Sequence, residues 1–231
     1  MKTNINYTAP KLLLASAALL FAACLNSCSK KDDSAAAPTA SAFVLAVNAA
    51  EGSDSLNFYA DNNKLTTSPL PYTASTEYVG VKAGTNQLSF KSTGSGGVNS
   101  SATLTSVAGK YYTAFYVDDK STLVIPDDRT TPDSAKARIR FVNLSSGINS
   151  AVDIGITDSA KMVSGLAYKT ASAYSSVNAN TRFSVYLAGT PAVALSIPMT
   201  VEATRVYTVY ISGATPATLS YHVLIQNYTQ Y

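Results

Sequence analysis

Side chains able to make or break bonds are few in this chain of 231 residues, and their spacing suits little chemistry. There is one histidine, His222, between Tyr221 and Val223 in a strand-like run. A metal centre needs companions at coordinating spacing, and the only thiols, Cys24 and Cys28, stand near the N-terminus. The pairs Asp118-Asp119 and Asp127-Asp128 offer carboxylates, but calcium takes six to eight oxygens, and acids that end a strand and open a linker are ordinary. Thr93-Gly94-Ser95-Gly96-Gly97 has neither the Gly-x-Ser-x-Gly spacing of a nucleophile elbow nor the Gly-Lys-Ser/Thr of a phosphate loop, and reads as a hairpin tip. No catalytic residue, metal site or cofactor is expected, and an enzyme is disfavoured.

The thiols suit a different chemistry. Lys2 and Lys11 precede an apolar run, Leu12 to Ala23, too short for a spanning helix of about 20 residues, so residues 1–27 read as a secretory leader. Leu25-Asn26-Ser27-Cys28 resembles a bacterial lipoprotein signal, with Ser27 as the small residue before the acylated cysteine and Leu25 as the aliphatic one. Cys24 competes, but Phe21 stands where its aliphatic residue belongs, so Cys28 is the expected lipidation site. Acyl chains hold a bilayer with about 0.8 kcal/mol per buried CH₂. Lys31, Asp32 and Asp33 resemble the export signal of surface lipoproteins in the Bacteroidota. The expected location is therefore the outer membrane, lipid-anchored and surface-exposed, with the periplasmic face as the alternative.

From Cys28 onward the chain has 204 residues, with 15 Lys and Arg against 14 Asp and Glu. That balance gives no basic face for nucleic acid. No cysteine remains for a disulfide within the folded part, so its stability must come from burial. The absence of Trp, the 15 Tyr, and abundant Ser, Thr, Val and Ala favour strands.

Compared with itself at a shift of 95 to 96 residues, the chain repeats. Leu70, Tyr72, Tyr78, Val81, Ala83 and Thr85 return as Leu166, Tyr168, Tyr174, Val177, Ala179 and Thr181, Tyr112-Thr113 as Tyr207-Thr208, and Val47-Asn48 as Val142-Asn143. The expected layout is a tether over 28–41, a first domain over 42–125, a polar linker with two prolines over 126–136, and a second domain over 137–231. The tether gives a reach of about 20 Å by random-coil scaling. Each copy is expected to fold independently.

Short β-branched or aromatic runs fill both copies, from Phe43–Val47 to Tyr111–Val117 and from Arg138–Asn143 to Leu219–Ile225. Asp61-Asn62-Asn63 and Ala83-Gly84-Thr85 suit tight hairpins. The fold class that follows is all-β, two tandem immunoglobulin-like β-sandwich domains.

Ala137-Arg-Ile-Arg-Phe-Val-Asn143, Ala151-Val-Asp153-Ile154, Ser164-Gly-Leu-Ala-Tyr168, Thr170-Ala171 and Tyr174 together resemble the domain-of-unknown-function family 4397. The resemblance implies small secreted β-sandwich repeats, often on anchored surface proteins, and brings no activity. Where that family tends to have His-Ala-Ser-Pro after its opening strand, this chain has Asn143-Leu-Ser-Ser and Asn48-Ala-Ala-Glu, so any role of that histidine is absent.

Tyrosines recurring in both copies read as core residues with hydrogen-bonded hydroxyls, whereas Tyr111, Tyr221, Tyr228 and Tyr231 are free to serve as surface aromatics. The function expected is non-enzymatic binding or adhesion by loops of a surface lipoprotein, its partner an unknown protein or glycan. The alternative is a glycan-binding accessory of a polysaccharide-uptake system. Asp-Ser-apolar triplets at Ser34, Ser55, Ser134 and Ser159 resemble a periplasmic O-glycosylation sequon, with Ser134 and Ser34 the most accessible.

Overall fold

A computed structural model describes residues 40–148, 150–157 and 161–227. Cys28, Lys31, Asp32, Asp33, Ser34, Ser159, Tyr228 and Tyr231 lie outside them. The first half contains β1 (Ser41–Asn48), β2 (Leu56–Ala60), β3 (Asn63–Lys64), β4 (Val79–Lys82), β5 (Gly84–Ser92), β6 (Val98–Ser106), β7 (Tyr111–Tyr116) and β8 (Thr122–Asp127). The second contains β9 (Lys136–Asn143), β10 (Val152–Ile156), β11 (Lys161–Leu166), β12 (Thr170–Ala171), β13 (Ser175–Asn178), β14 (Phe183–Leu187), β15 (Val193–Ile197), β16 (Val206–Ser212) and β17 (Ser220–Ile225). A 3-10 turn over Pro216–Thr218 precedes β17.

Each half is a β-sandwich. In the first, an inner sheet ordered β4-β1-β7-β8 packs on an outer sheet ordered β3-β2-β5-β6. In the second, an inner sheet ordered β12-β9-β16-β17, with β13 also on β9, packs on an outer sheet ordered β11-β10-β14-β15. The central inner strands are parallel in both: Val47 pairs with Phe115 in one, Val142 with Tyr210 in the other. The other strand pairs are antiparallel.

Why the central strands carry apolar residues on both faces follows from what lies on each side. Val44, Ala46, Tyr112 and Ala114 face Phe58, Leu88 and Phe90 of the first outer sheet. Ile139, Phe141, Tyr207 and Val209 face Ile154, Phe183 and Val185 of the second. The alternate residues, Leu45, Val47, Phe115 and Ile125 from one inner sheet and Val142, Leu144, Tyr210 and Leu224 from the other, form a third core between the sandwiches. Strands covered on both faces need near-continuous apolar sequence. Beside the expectation of two independently folding domains stands this shared core, which gathers the described residues of both sandwiches into one compact unit. The linker shrinks too: β8 continues through Pro126 to Asp127, and β9 starts at Lys136. Pro126 is tolerated because β8 is an edge strand, where a missing N–H breaks no ladder.

Local details that recur explain the repeated letters. The Tyr112 hydroxyl accepts the Val107 N–H at 3.0 Å, and that of Tyr207 accepts the Glu202 N–H at 3.0 Å, the same five-residue corner twice. Buried Asn48 donates to the Leu70 carbonyl at 3.0 Å and buried Asn143 to the Leu166 carbonyl at 3.1 Å. Each also accepts a backbone N–H two residues on, from Ala50 and Ser145. Left-handed residues recur as Thr73 and Lys169 after the first repeated tyrosine, and as Gly109 and Thr204 before the corner.

Asp61 and Asn62, at φ 48° and 67°, make the expected hairpin between β2 and β3. Ala83-Gly84-Thr85 does not make one. β4 pairs with β1 in the inner sheet and β5 with β2 and β6 in the outer sheet, so the chain changes sheets there, and Gly84 at φ 114° turns the corner. Thr93 to Gly97 is the tip joining β5 to β6.

Candidate functional site

The polar residues with the most chemical potential meet along one side of the seam between the inner sheets. Asp127, at the end of edge strand β8, has a side chain with no exposure, and Arg140, in the middle of β9, retains 4%. Arg140 stands where the register of the first half has Leu45, so a guanidinium enters an otherwise apolar layer. Its Nη2 pairs with Asp127 Oδ1, its Nη1 donates to the Pro126 carbonyl at 2.6 Å, and its Nε donates to Thr208 Oγ1 at 2.9 Å. Asp127 Oδ2 accepts from the Tyr78 hydroxyl and from Thr113 Oγ1, both at 2.7 Å. A buried ion pair survives only when its remaining donors and acceptors are also satisfied, and here they are.

Tyr78 and Tyr174, paired by the repeat, play matching parts. Tyr78 bonds Asp127, whereas Tyr174 bonds the Gln226 side chain, which lies in the register position of Asp127 at the end of β17. Burial raises the Tyr78 phenol well above its ordinary pKa, and the Asp127 charge adds to that; Tyr174 is raised by burial. Arg129 lies over the rings of Tyr78 and Tyr111, and Arg138 and Arg140 lie over that of Tyr174. Outside the node, Asp128 is held well below the usual carboxylate range by Arg138 at 2.6 Å and by Thr130.

A groove of about 570 Å³ opens above this node, bordered by Pro126, Asp127, Arg140, Thr170, Ser172 and Tyr174. A smaller counterpart of about 330 Å³ runs between Leu45, Thr76 and Glu77 on one side and Val223 to Ile225 on the other. These grooves are the places where a ligand could touch both sandwiches at once. The charges on the floor of the larger groove, Asp127 and Arg140, are already engaged with each other and with their neighbours, so that arrangement suits holding and recognition.

The remaining candidates fall elsewhere. His222, on β17, stacks on Tyr210 with centroids 4.7 Å apart and meets Tyr72 edge-on at 5.9 Å. Its Nε2 lies 3.0 Å from Ser212 Oγ and 2.8 Å from Ser220 Oγ, and Ser212 also bonds Tyr72 at 2.8 Å. Burial lowers the imidazole pKa. This agrees with a half-buried strand histidine, now placed at the seam. Asp118 accepts from Glu51 N and Ser146 Oγ, and Asp119 pairs with Lys169 at 2.5 Å, so both carboxylates tie loops together. Glu51 does likewise from the first half, accepting Ala214 N and Thr218 Oγ1 at 2.7 Å, which lowers its pKa. Among the described residues no group of three or more His, Cys, Asp or Glu is arranged to hold a metal.

Two expected surface aromatics are corrected. Tyr111 stacks on Phe43 at 4.8 Å and abuts Tyr78, and Tyr221 packs against the second core. Ser134 lies exposed in a turn ahead of β9, while Ser55 is half-buried next to β2. Sequence reasoning missed Arg140; the one detectable signal was an arginine inside the apolar run Ile139 to Val142.

Fold and site together define an all-β protein of two sandwiches joined face to face. Residues 42–154 match the family model described as "Domain of unknown function (DUF4397)". That span holds the first sandwich and runs into the second as far as Ile154, so the resemblance in Ala137–Asn143 and Ala151–Ile154 lies within it, and that at Ser164–Tyr168, Thr170 and Tyr174 beyond it. No curated protein matches the chain. Among solved structures, a carbohydrate-binding module of family CBM26 from Eubacterium rectale Amy13K, in complex with maltoheptaose, is similar at 13% identity, covering 79% of this chain and 96% of its own. Its TM-score is 0.27, too low for the two to share a detailed geometry.

Proposed function

We propose that this chain is a non-enzymatic, lipid-anchored surface protein in which two copies of one β-sandwich unit form a single rigid binding module. The observation that carries the reading is the engagement of its reactive groups. His222, Asp118, Asp119, Asp127, Asp128 and Arg140 each bond to partners within the fold, leaving loops, grooves and outer sheet faces as the surfaces available to a ligand. Anchoring rests on Cys28, and routing to the outer face on Lys31, Asp32 and Asp33. O-glycans on Ser134 and Ser34 would shield the exposed connections, with Ser55 and Ser159 as weaker acceptors.

Mass spectrometry of the mature N-terminus should find acyl groups on Cys28, and protease added to intact cells should degrade the body. Acylation at Cys24, or full protection until the outer membrane is opened, would overturn the corresponding part. The intact mass from the native host, compared with a Ser34→Ala, Ser134→Ala double variant, reports glycosylation. Equality with bare polypeptide plus lipid would rule it out.

A second reading, a glycan-binding accessory of a polysaccharide-uptake system, is favoured by the outer sheets. Each presents an outer face that mixes polar groups with one tyrosine and one exposed valine, Tyr59 beside Asn57 and Lys91 with Val98 in the first and Tyr186 beside Asp153 and Ser184 with Val193 in the second.

A further inference from the structure

Gly155 lies in the middle of β10, and no left-handed φ explains a glycine there. Its reason is the ring of Tyr186: a Cβ on Gly155 would stand 2.9 Å from Tyr186 Cε2. Glycine inside a strand marks a place where something approaches the backbone closely, and here that is the Cε2 edge of a tyrosine ring, with Cδ2 and Cζ both at 3.7 Å, so the ring stands up from the sheet.

The strand alternation fixes where this ring sits. Phe183 and Val185 of β14 enter the second core, so Ser184 and Tyr186 point to the outer face of the sheet. Tyr186 is directly across from Asp153 and Ser184 from Gly155, so the tyrosine leans one row along the strand to cover the glycine. The ring is half-buried, and among the described residues no second aromatic ring or cation is stacked on it.

Around it the sheet supplies exposed Val193, directly across from Tyr186 on β15, and polar groups on the rows beside it. The Asp153 carboxylate is held by Lys161 Nζ at 2.5 Å and by Gly165 N at 2.7 Å, bonds that lower its pKa, and Lys161 keeps 46% of its side chain exposed. Ser196 on β15 is exposed across from Ser184.

We propose that this patch is a saccharide subsite, with the C–H face of a neutral pyranose stacked on Tyr186 and its hydroxyls bonded by Lys161 and Ser196. The sugar's C–H hydrogens are slightly positive and the ring face is negative, so the two attract while both shed water. A few fixed polar groups beside an apolar surface set the orientation of such a ligand. Because Asp153 neutralises Lys161, the patch favours an uncharged polyhydroxyl ligand over a phosphate or a nucleic acid.

The first sandwich shows what the closed version looks like. Tyr59 of β2 occupies the register position of Gly155, and Lys91 of β5 that of Tyr186. There Lys91 Nζ lies 4.3 Å above the Tyr59 ring, so the ammonium takes the place a sugar would need. The subsite therefore belongs to the second sandwich alone.

This inference rests on the binding reading above, in its glycan form. The test is native affinity electrophoresis of the folded chain through gels containing soluble α-glucan, β-glucan, xylan or mannan. The wild type should be retarded in at least one gel. Tyr186→Ala should weaken that retardation about tenfold in apparent Kd, Tyr186→Phe should retain it because the ring remains, and Tyr59→Ala should match the wild type. Circular dichroism melts check that each variant is folded. Free migration of the wild type in all four gels would overturn the subsite and leave the anchored-module reading to its own test on cells. Undiminished binding by folded Tyr186→Ala would overturn the subsite while preserving glycan binding.

Discussion

Phe115 and Tyr210 meet across the seam with ring centroids 5.4 Å apart and planes inclined at 65°. They hold the same register position in the two inner sheets, opposite Val47 and Val142. Contact between equivalent residues is what a two-fold-related, self-complementary interface produces. The two sandwiches therefore use one surface twice, as a homodimer does.

From that relationship we expect either sandwich expressed alone to self-associate. Residues 136–231 would expose Val142, Leu144, Tyr210 and Leu224 and leave Arg140 without Asp127. Light scattering after size exclusion should report dimers or larger species. A monodisperse monomer that unfolds cooperatively at the full-length midpoint would contradict the shared core.

Within the seam, Arg140→Met should destabilise the chain by about 3–5 kcal/mol, because it leaves the Asp127 carboxylate buried without its cation. Adding Asp127→Asn should recover a large part, since the amide can still accept from Tyr78 and Thr113. Urea unfolding of the two single variants and the double variant measures the coupling. Additive losses would mean that the pair is not a unit.

The tyrosine corners allow a matched comparison. Tyr112→Phe and Tyr207→Phe each keep the ring and remove the acceptor of one backbone N–H, so each should cost about 1–3 kcal/mol, and by similar amounts. A shift of the urea midpoint at constant slope is the readout. A neutral effect at either site would show that solvent replaces the hydroxyl.

Acid should act in two separate windows. Burial depresses the His222 pKa in the folded state below its unfolded value of 6.5, so the unfolded chain binds the proton more readily. The stability this group contributes is fully present above pH 6.5 and is lost as the pH falls through the folded pKa. Glu51, Asp119, Asp128 and Asp153 also have lowered pKa values, and their contributions persist to about pH 4 before being lost below it. His222→Gln should remove the slope nearer pH 6 and leave the lower one. An unchanged profile would mean that His222 is already solvated.

Much of the fold was legible because it depends on local pattern. Period-two alternation, turn residues such as Asp61-Asn62 and the recurrence of Tyr112 and Tyr207 follow from how a chain builds strands and corners near itself. β8 was hidden because Pro126 and Asp127 read as a linker, and β11 because its ladder is irregular and Gly165 interrupts it at φ 67°.

The seam was not legible. Leu45 and Val142 are apolar whether they face a partner sheet or complete a sandwich, and sequence separation says nothing about which faces meet. Likewise, Asp127 beside Arg140 becomes a buried ion pair only because the inner sheets close over it. Tyr186 over Gly155 becomes a platform only because β10 and β14 pair in one particular register. The sequence by itself determined most of the strands and the expectation of an N-terminal anchor, since those depend on residues close along the chain, and the repeat, which is legible in the letters alone. Tertiary structure alone decided that the two sandwiches share a core and which tyrosine has a face left for a ligand, because burial is a property of surfaces brought together from distant parts of the chain.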